Sequence, residues 1–271
     1  GGVSSHVIVD TSRSGKELNP DNDDADENDA GFDTFNSDGF TVSGVDNHYN
    51  NDSYTYVAWC WKANGGSLTS FSASGSQLGG AYQANTTAGF SIITYTGDGT
   101  QTRTFLHGLG VAPNVAFFKS RSAAGDWIMV SDFNNVTNPW DSNNLRLHTN
   151  AAIAGSENTT DGVNPTSTTV TLGTSTSVNG DGVTYISYCF SSVQGYSKIG
   201  QYEGNGRGTG PFIYTGFKPA FVMTKNIDAS ASWEIHDNKR ARPCNPQGNV
   251  VWADIGNAEG SGSNDMDLVS N

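Results

Sequence analysis

A chain of 271 residues has room for two domains, or for one large β domain with a sizeable buried core. Only 35% of the residues are hydrophobic and 15% are charged, against roughly 25% charged in an ordinary soluble domain, so Gly, Ser, Thr and Asn build a surface that is polar without being ionic. The net charge of −13 argues against nucleic acid or an anionic membrane as partner, and the 11% of aromatic residues argues against disorder.

From the N-terminus, GGVSSHVIVD has neither the basic nor the apolar region of a signal peptide, and no later run approaches the ~20 apolar residues of a membrane span. Short alternating or β-branched runs then follow one another: 6–10 (HVIVD), 54–62 (YTYVAWCWK), 90–95 (FSIITY), 114–119 (NVAFFK), 127–132 (WIMVSD), 183–190 (VTYISYCF) and 219–225 (PAFVMTK). Gly, Asn, Asp and Pro clusters separate them, as turns require. Helical periodicity is nearly absent. The fold class expected is all-β, in sandwich-like modules.

Between these runs, residues 17–29 (ELNPDNDDADEND) hold seven acids and no base. Asp21, Asp23, Asp24, Asp26, Glu27 and Asp29 supply hard oxygen ligands at short spacing, which makes this loop the Ca²⁺ candidate, although it lacks the Gly and terminal Glu of an EF-hand. A solvated acidic loop is the other reading. Residues 65–88 are Gly/Ser-rich and read as a linker with little regular structure.

Internal repetition is the strongest signal. YTGDG at 95–99 returns as YEGNG at 202–206. Pro113, Lys119 and Trp127 return as Pro219, Lys225 and Trp233, each 106 residues on. TYVAWCW (55–61) matches TYISYCF (184–190), and Asp10-x-x-Arg13 matches Asp237-x-x-Arg240. This divides the chain into the closing part of one module (1–64), the linker (65–88), a complete module (89–195) and the start of a third (196–271). A section of a longer repeat array is expected, because the first unit opens at a mid-module strand.

The ordered blocks SDGFTV, YVAWCWKANGG, AGFSIITYTGDGT, HGLGVAPNVAFFKSR, NGDGVTYISYCF, GYSKIGQYEGNG and GPFIYTGFKPAFVMTK resemble uncharacterised modules of predicted tail-fibre proteins in marine bacteriophages, cyanophages among them. The resemblance spans almost the whole chain. It implies a virion fibre or receptor-binding component in an extracellular appendage. That component would associate as a homo-oligomer, trimeric or higher, touch other virion proteins, and bind a host-surface glycan or protein with no catalytic residues. His6 departs from the pattern, standing where the other units have Trp127 and Trp233. The alternatives are a capsid decoration or head fibre, a glycan-degrading tailspike, and a cellular adhesin or filament.

Enzyme chemistry finds little support in the sequence. WEIHD (233–237) places Glu234 and His236 on one strand face and Asp237 on the other, which is wrong for a carboxylate pair. GNGRGTG (204–210) lies between strands with no helix to follow, so it reads as a turn. The five histidines, His6, His48, His107, His148 and His236, are scattered. Trp59, Trp61, Trp127 and Trp233 read as core. Trp140 and Trp252, in loops among Asn and Gly, are the glycan-contact candidates. Cys60 and Cys189, at matching positions, read as small core residues. Cys244, in a loop, is the candidate for cross-linking between subunits.

Overall fold

The structure is a computed structural model that describes every residue except 1–3, 30, 45, 133–139, 141–142, 156, 241–244 and 271. It is all-β, with one helical turn, α1 (Thr176–Asn179), among the described residues. The strands of the first part are β1 (Lys16–Glu17), β2 (Glu27–Asn28), β3 (Phe32–Phe35) and β4 (Phe40–Val42). The central part holds β5 (Thr69–Phe71), β6 (Gly80–Asn85), β7 (Phe90–Thr96), β8 (Arg103–Leu106), β9 (Val115–Ser120), β10 (Ile128–Ser131), β11 (Asn143–Arg146), β12 (Ala154–Gly155), β13 (Thr169–Leu172) and β14 (Thr184–Phe190). The last part holds β15 (Phe221–Thr224), β16 (Glu234–Asp237), β17 (Gln247–Trp252) and β18 (Gly260–Met266).

One antiparallel sheet dominates, in the order β12-β11-β10-β9-β14-β7-β6-β5. Side chains alternate along a strand, and here both faces are apolar. Ile93, Tyr95, Ala116, Phe118, Ile128, Val130, Tyr185 and Cys189 point to one face, where the β8–β13 pair covers them with Phe105, Val170 and Leu172. This is the sandwich core of the central module. Phe90, Ile92, Val115, Met129, Ile186 and Tyr188 point the other way and meet Leu18 of the first unit and Trp233 and Ile235 of the third. The second face is therefore where the units dock.

The linker reading of 65–88 is overturned. Its residues form β5 and β6, which extend the main sheet beyond β7. The glycines that suggested flexibility admit close approach instead: a Cβ on Gly80 would sit 2.3 Å from the Thr94 carbonyl oxygen. Gly108 has φ +71° and lies against the Tyr82 ring, so a side chain fails there on both counts.

The strand expected at 54–62 is also corrected. The run carries the alternation of a strand but has no ladder partner. Trp61 is 44% exposed rather than core, and Cys60 is exposed while its counterpart Cys189 is buried. Burial pushes the Cys189 thiol up to about 12. Brief treatment of the native protein with iodoacetamide is thus expected to modify Cys60 and spare Cys189, read by peptide mass spectrometry. Modification of Cys189 at a comparable rate would contradict this packing.

Candidate functional site

The repeated motifs converge on the junctions between units. At the first junction, the Trp127 indole donates to the Asn19 carbonyl at 2.9 Å, and Lys119 Nζ donates to the Asp23 carbonyl at 3.2 Å. The Gly125 amide donates to that same Asp23 carbonyl, and the Asp26 amide donates to the Arg121 carbonyl. At the second junction, Trp233 donates to the Arg146 carbonyl at 3.0 Å and Lys225 Nζ to the Asn150 carbonyl at 3.3 Å. The Ala231 amide donates to Asn150 and the Ile153 amide to Ile227. Every donor is 106 residues from its counterpart except those of the preceding hairpin, where Asn19, Asp23 and Asp26 map onto Arg146, Asn150 and Ile153 at a spacing of 127.

A third junction joins the last unit to the first. The Ser4 amide donates to the Gly256 carbonyl at 3.0 Å, which is the Gly125–Asp23 bond in its third form. His6, standing where the other units have Trp, bonds through Nε2 to the Ile255 carbonyl at 3.2 Å. The units therefore close into a ring with pseudo-threefold character instead of lying end to end.

The Asp-x-x-Arg motifs are clasps in this ring. Arg13 Nε donates to Asp10 at 2.7 Å, its second nitrogen to Asp26 at 2.9 Å and its third to the Ile8 carbonyl. Tyr188, from the last strand of the central module, donates to the same Asp10 carboxylate. Arg240 repeats this with Asp237, Glu259 and the Ile235 carbonyl, and Trp59 Nε1 takes the place of Tyr188 at 3.2 Å from Asp237. The Arg240 guanidinium also lies over the Trp59 ring, 5.5 Å from its centre. Burial raises the Asp237 carboxyl, but the Arg240 hydrogen bond and the Arg240 and Lys239 amides outweigh it and hold the group below its ordinary 3.8.

This geometry accounts for the acidic loop. The structure does not gather Asp21, Asp23, Asp24, Asp26, Glu27 and Asp29 into a cation shell, and no group of three or more His, Cys, Asp or Glu side chains among the described residues is arranged to hold a metal. Asp26 is buried between Arg13 and Arg121. Asp29 accepts from the Gly31 and Phe32 amides. The Asp26 charge is met by two arginines, and Glu17 accepts from the Tyr49 hydroxyl.

Lys119 is fully buried behind this loop, and its nitrogen also donates to the Ser120 carbonyl. Burial lowers its pKa from 10.5 to about 8, against the opposing pull of Asp23, Asp26, Asp24 and Asp126. The folded chain then releases this proton at lower pH than the unfolded chain does. Stability from this group is expected to rise between about pH 8 and 10.5, where only the unfolded state still holds the proton. The melting point of the native protein relative to a Lys119→Met variant should climb across that window. A flat difference would mean the ammonium is solvated.

The glycan-contact candidates fare differently from expectation. Trp140 is 2% exposed and packs in the sandwich core, with its carbonyl accepting from Thr160, so it is structural. Trp252 ends strand β17 opposite Glu234, half-buried over Gly260, and is not a loop residue. Glu234 and His236 do share a face, with 3.8 Å between a Glu234 carboxylate oxygen and His236 Nε2, but His236 is buried. Cys244 lies outside the described residues. Other aromatics are exposed: Phe35 and Phe40 on the β3–β4 hairpin, Tyr56 and Trp61, then Tyr196, Tyr202, Phe212 and Tyr214. Sequence reading takes several of these as repeat or family blocks without marking them as exposed, because pattern alone does not state what covers a ring.

A family profile described as a domain of unknown function, DUF7483, matches residues 1–271. The chain belongs to the DUF7483 family. No curated protein and no solved structure matches it. No helix among the described residues of this DUF7483 chain is long and apolar enough to cross a membrane.

Proposed function

We propose that this DUF7483 chain is a structural and adhesive component of a bacteriophage virion, a tail-fibre segment that meets the host surface. The observation that carries the reading is the recurring junction, in which a buried tryptophan and a lysine reach main-chain carbonyls of the preceding unit and join the β modules. The resemblance to marine phage fibre modules supplies the location. A non-catalytic role is supported by the fate of the charged groups: the buried carboxylates Asp10, Asp26 and Asp237 are each held by arginine.

The β3–β4 hairpin is the contact surface this reading favours. Phe35 and Phe40 are about two-fifths exposed and pack around Phe32, with Asp33 and Asp38 beside them. An aromatic platform edged by polar groups suits stacking on a sugar ring or insertion into a protein pocket. Many copies would amplify a weak contact. A Phe35→Ser, Phe40→Ser double variant is expected to lower adsorption to host cells at least tenfold, on the order of 1–3 kcal/mol per site, with an unchanged melting point. Undiminished adsorption would remove this hairpin from the contact surface. Location is tested by cryo-EM of the particle that carries the chain. Density in a tail appendage supports the proposal. A capsid coat, or a filament without a particle, replaces it.

A further inference from the structure

Two open depressions meet at the end of the β6–β7 hairpin, where Asn85 borders both. The first, of about 430 Å³, is bounded by Lys62, Asn64, Asn85 and Thr86. The second, of about 380 Å³, is bounded by Thr87, Ala88, Val193 and Tyr196. Together they make one groove with a polar half and a more apolar half, each within the roughly 300–1,000 Å³ of small-ligand sites. Hydrogen bonds brace its walls. Asn85 Nδ2 donates to the Lys62 carbonyl at 3.0 Å, and Asn85 Oδ1 accepts from the Ala88 amide at 3.0 Å, which fastens the hairpin end to the chain at 62. The opposite wall is a tight turn. The Tyr196 and Ser197 amides both donate to the Val193 carbonyl, and the Val193 amide donates to the Ser197 carbonyl. Gly195 in this turn has φ +77°, which glycine adopts at no steric cost. The Tyr196 side chain is left 55% exposed. A Cβ on Gly89 would sit 2.6 Å from the Ser191 carbonyl oxygen, so the two walls pack closely where they meet. The polar ends along the groove are uncommitted by contrast: the Lys62 ammonium and the Thr86, Thr87 and Tyr196 hydroxyls have no partner among the described residues.

We propose that this groove binds an acidic oligosaccharide. A pyranose presents an apolar C–H face and a rim of hydroxyls. Tyr196 offers a ring for the face and a hydroxyl for the rim. Asn64, Asn85, Thr86 and Thr87 offer both donors and acceptors to the sugar hydroxyls. Lys62 offers a cation to a sugar carboxylate, the stronger kind of hydrogen bond. Charge selects the acidic class. The chain carries a net charge of −13, yet among the described residues no Asp or Glu borders either depression and a lysine does. An anion is therefore drawn to this place on a surface that elsewhere repels it. Walls already braced by hydrogen bonds lower the cost of ordering on binding. The inference stands on the groove and not on the virion reading or the β3–β4 hairpin, and each can fail without the other.

The test is an array printed with oligosaccharides of glucuronic, galacturonic and sialic acids beside neutral oligosaccharides, probed with the labelled full chain. The expected result is binding to acidic oligosaccharides that weakens at least tenfold in a Tyr196→Ala variant. A Lys62→Gln variant should lose the preference for acidic over neutral sugars. Both positions are exposed, so each variant should keep the native melting point, and the two report on the groove separately. The Phe35→Ser, Phe40→Ser variant should bind the array as the native chain does, which distinguishes this groove from the hairpin. No binding to any acidic oligosaccharide overturns the proposal, as does binding to neutral sugars alone. Binding that survives both Tyr196→Ala and Lys62→Gln, or that disappears with the hairpin variant, overturns it as well.

Discussion

A Trp127→Ala variant is expected to lose more stability than any other single tryptophan replacement in the chain. The side chain is fully buried on the docking face, stacked on Tyr188 with ring centres 6.3 Å apart. Removing it opens a cavity worth about 3–5 kcal/mol. It also strips the Asn19 carbonyl of its donor, at about 1–3 kcal/mol more. Trp127→Phe separates the terms, since it keeps most of the apolar volume and removes the N–H. Urea unfolding should show Phe between native and Ala. Losses below about 1 kcal/mol for Ala, typical of surface changes, would mean the first junction is not formed.

Arg13→Ala is the second large effect. The guanidinium is buried and bridges two carboxylates that are buried with it, Asp10 and Asp26. Those carboxylates, with Tyr188, outweigh the cost of burial and keep it firmly charged. Its removal leaves uncompensated charge in the interior, which costs about 3–5 kcal/mol. Arg240→Ala should cost less, because one of its two partners, Glu259, is 40% exposed and water can serve it. If the two variants unfold alike, the clasps are equivalent and burial of the second acid is not what separates them. An Arg13→Ala, Asp26→Ala double variant should recover part of the loss, since it removes one stranded charge.

The repeats make much of this legible. Period-two alternation in β7, β9, β10 and β14 is plain, and the matched Trp, Lys and Asp-x-x-Arg positions mark the residues that build the junctions. The 54–62 run shows the limit of pattern. Alternation states which side chains share a face, but a strand exists only where another backbone receives its hydrogen bonds. Trp140 escapes sequence reading for a related reason: its Asn-rich surroundings describe the chain around it, whereas its ring lies in a core built from β8, β9 and β13. The acidic loop displays only its own charges, and the arginines that hold its Asp26 are Arg13, ahead of it, and Arg121, about a hundred residues away. At 65–88, glycine has the composition of slack, whereas close approach of backbones is what requires it.

The junctions have one property with consequences beyond this chain. Their acceptors are main-chain carbonyls, at Asn19 and Arg146 for the tryptophans and at Asp23 and Asn150 for the lysines. A carbonyl is the same on every residue, so the side chains at these positions are free to differ, as they do here in size and in charge. A unit can then seat on neighbours of different sequence, through a tryptophan and a lysine at two junctions and through His6 and the Ser4 amide at the third. Outward surfaces can diversify rapidly under such a rule while the joint stays the same, much as a standard socket accepts different tools.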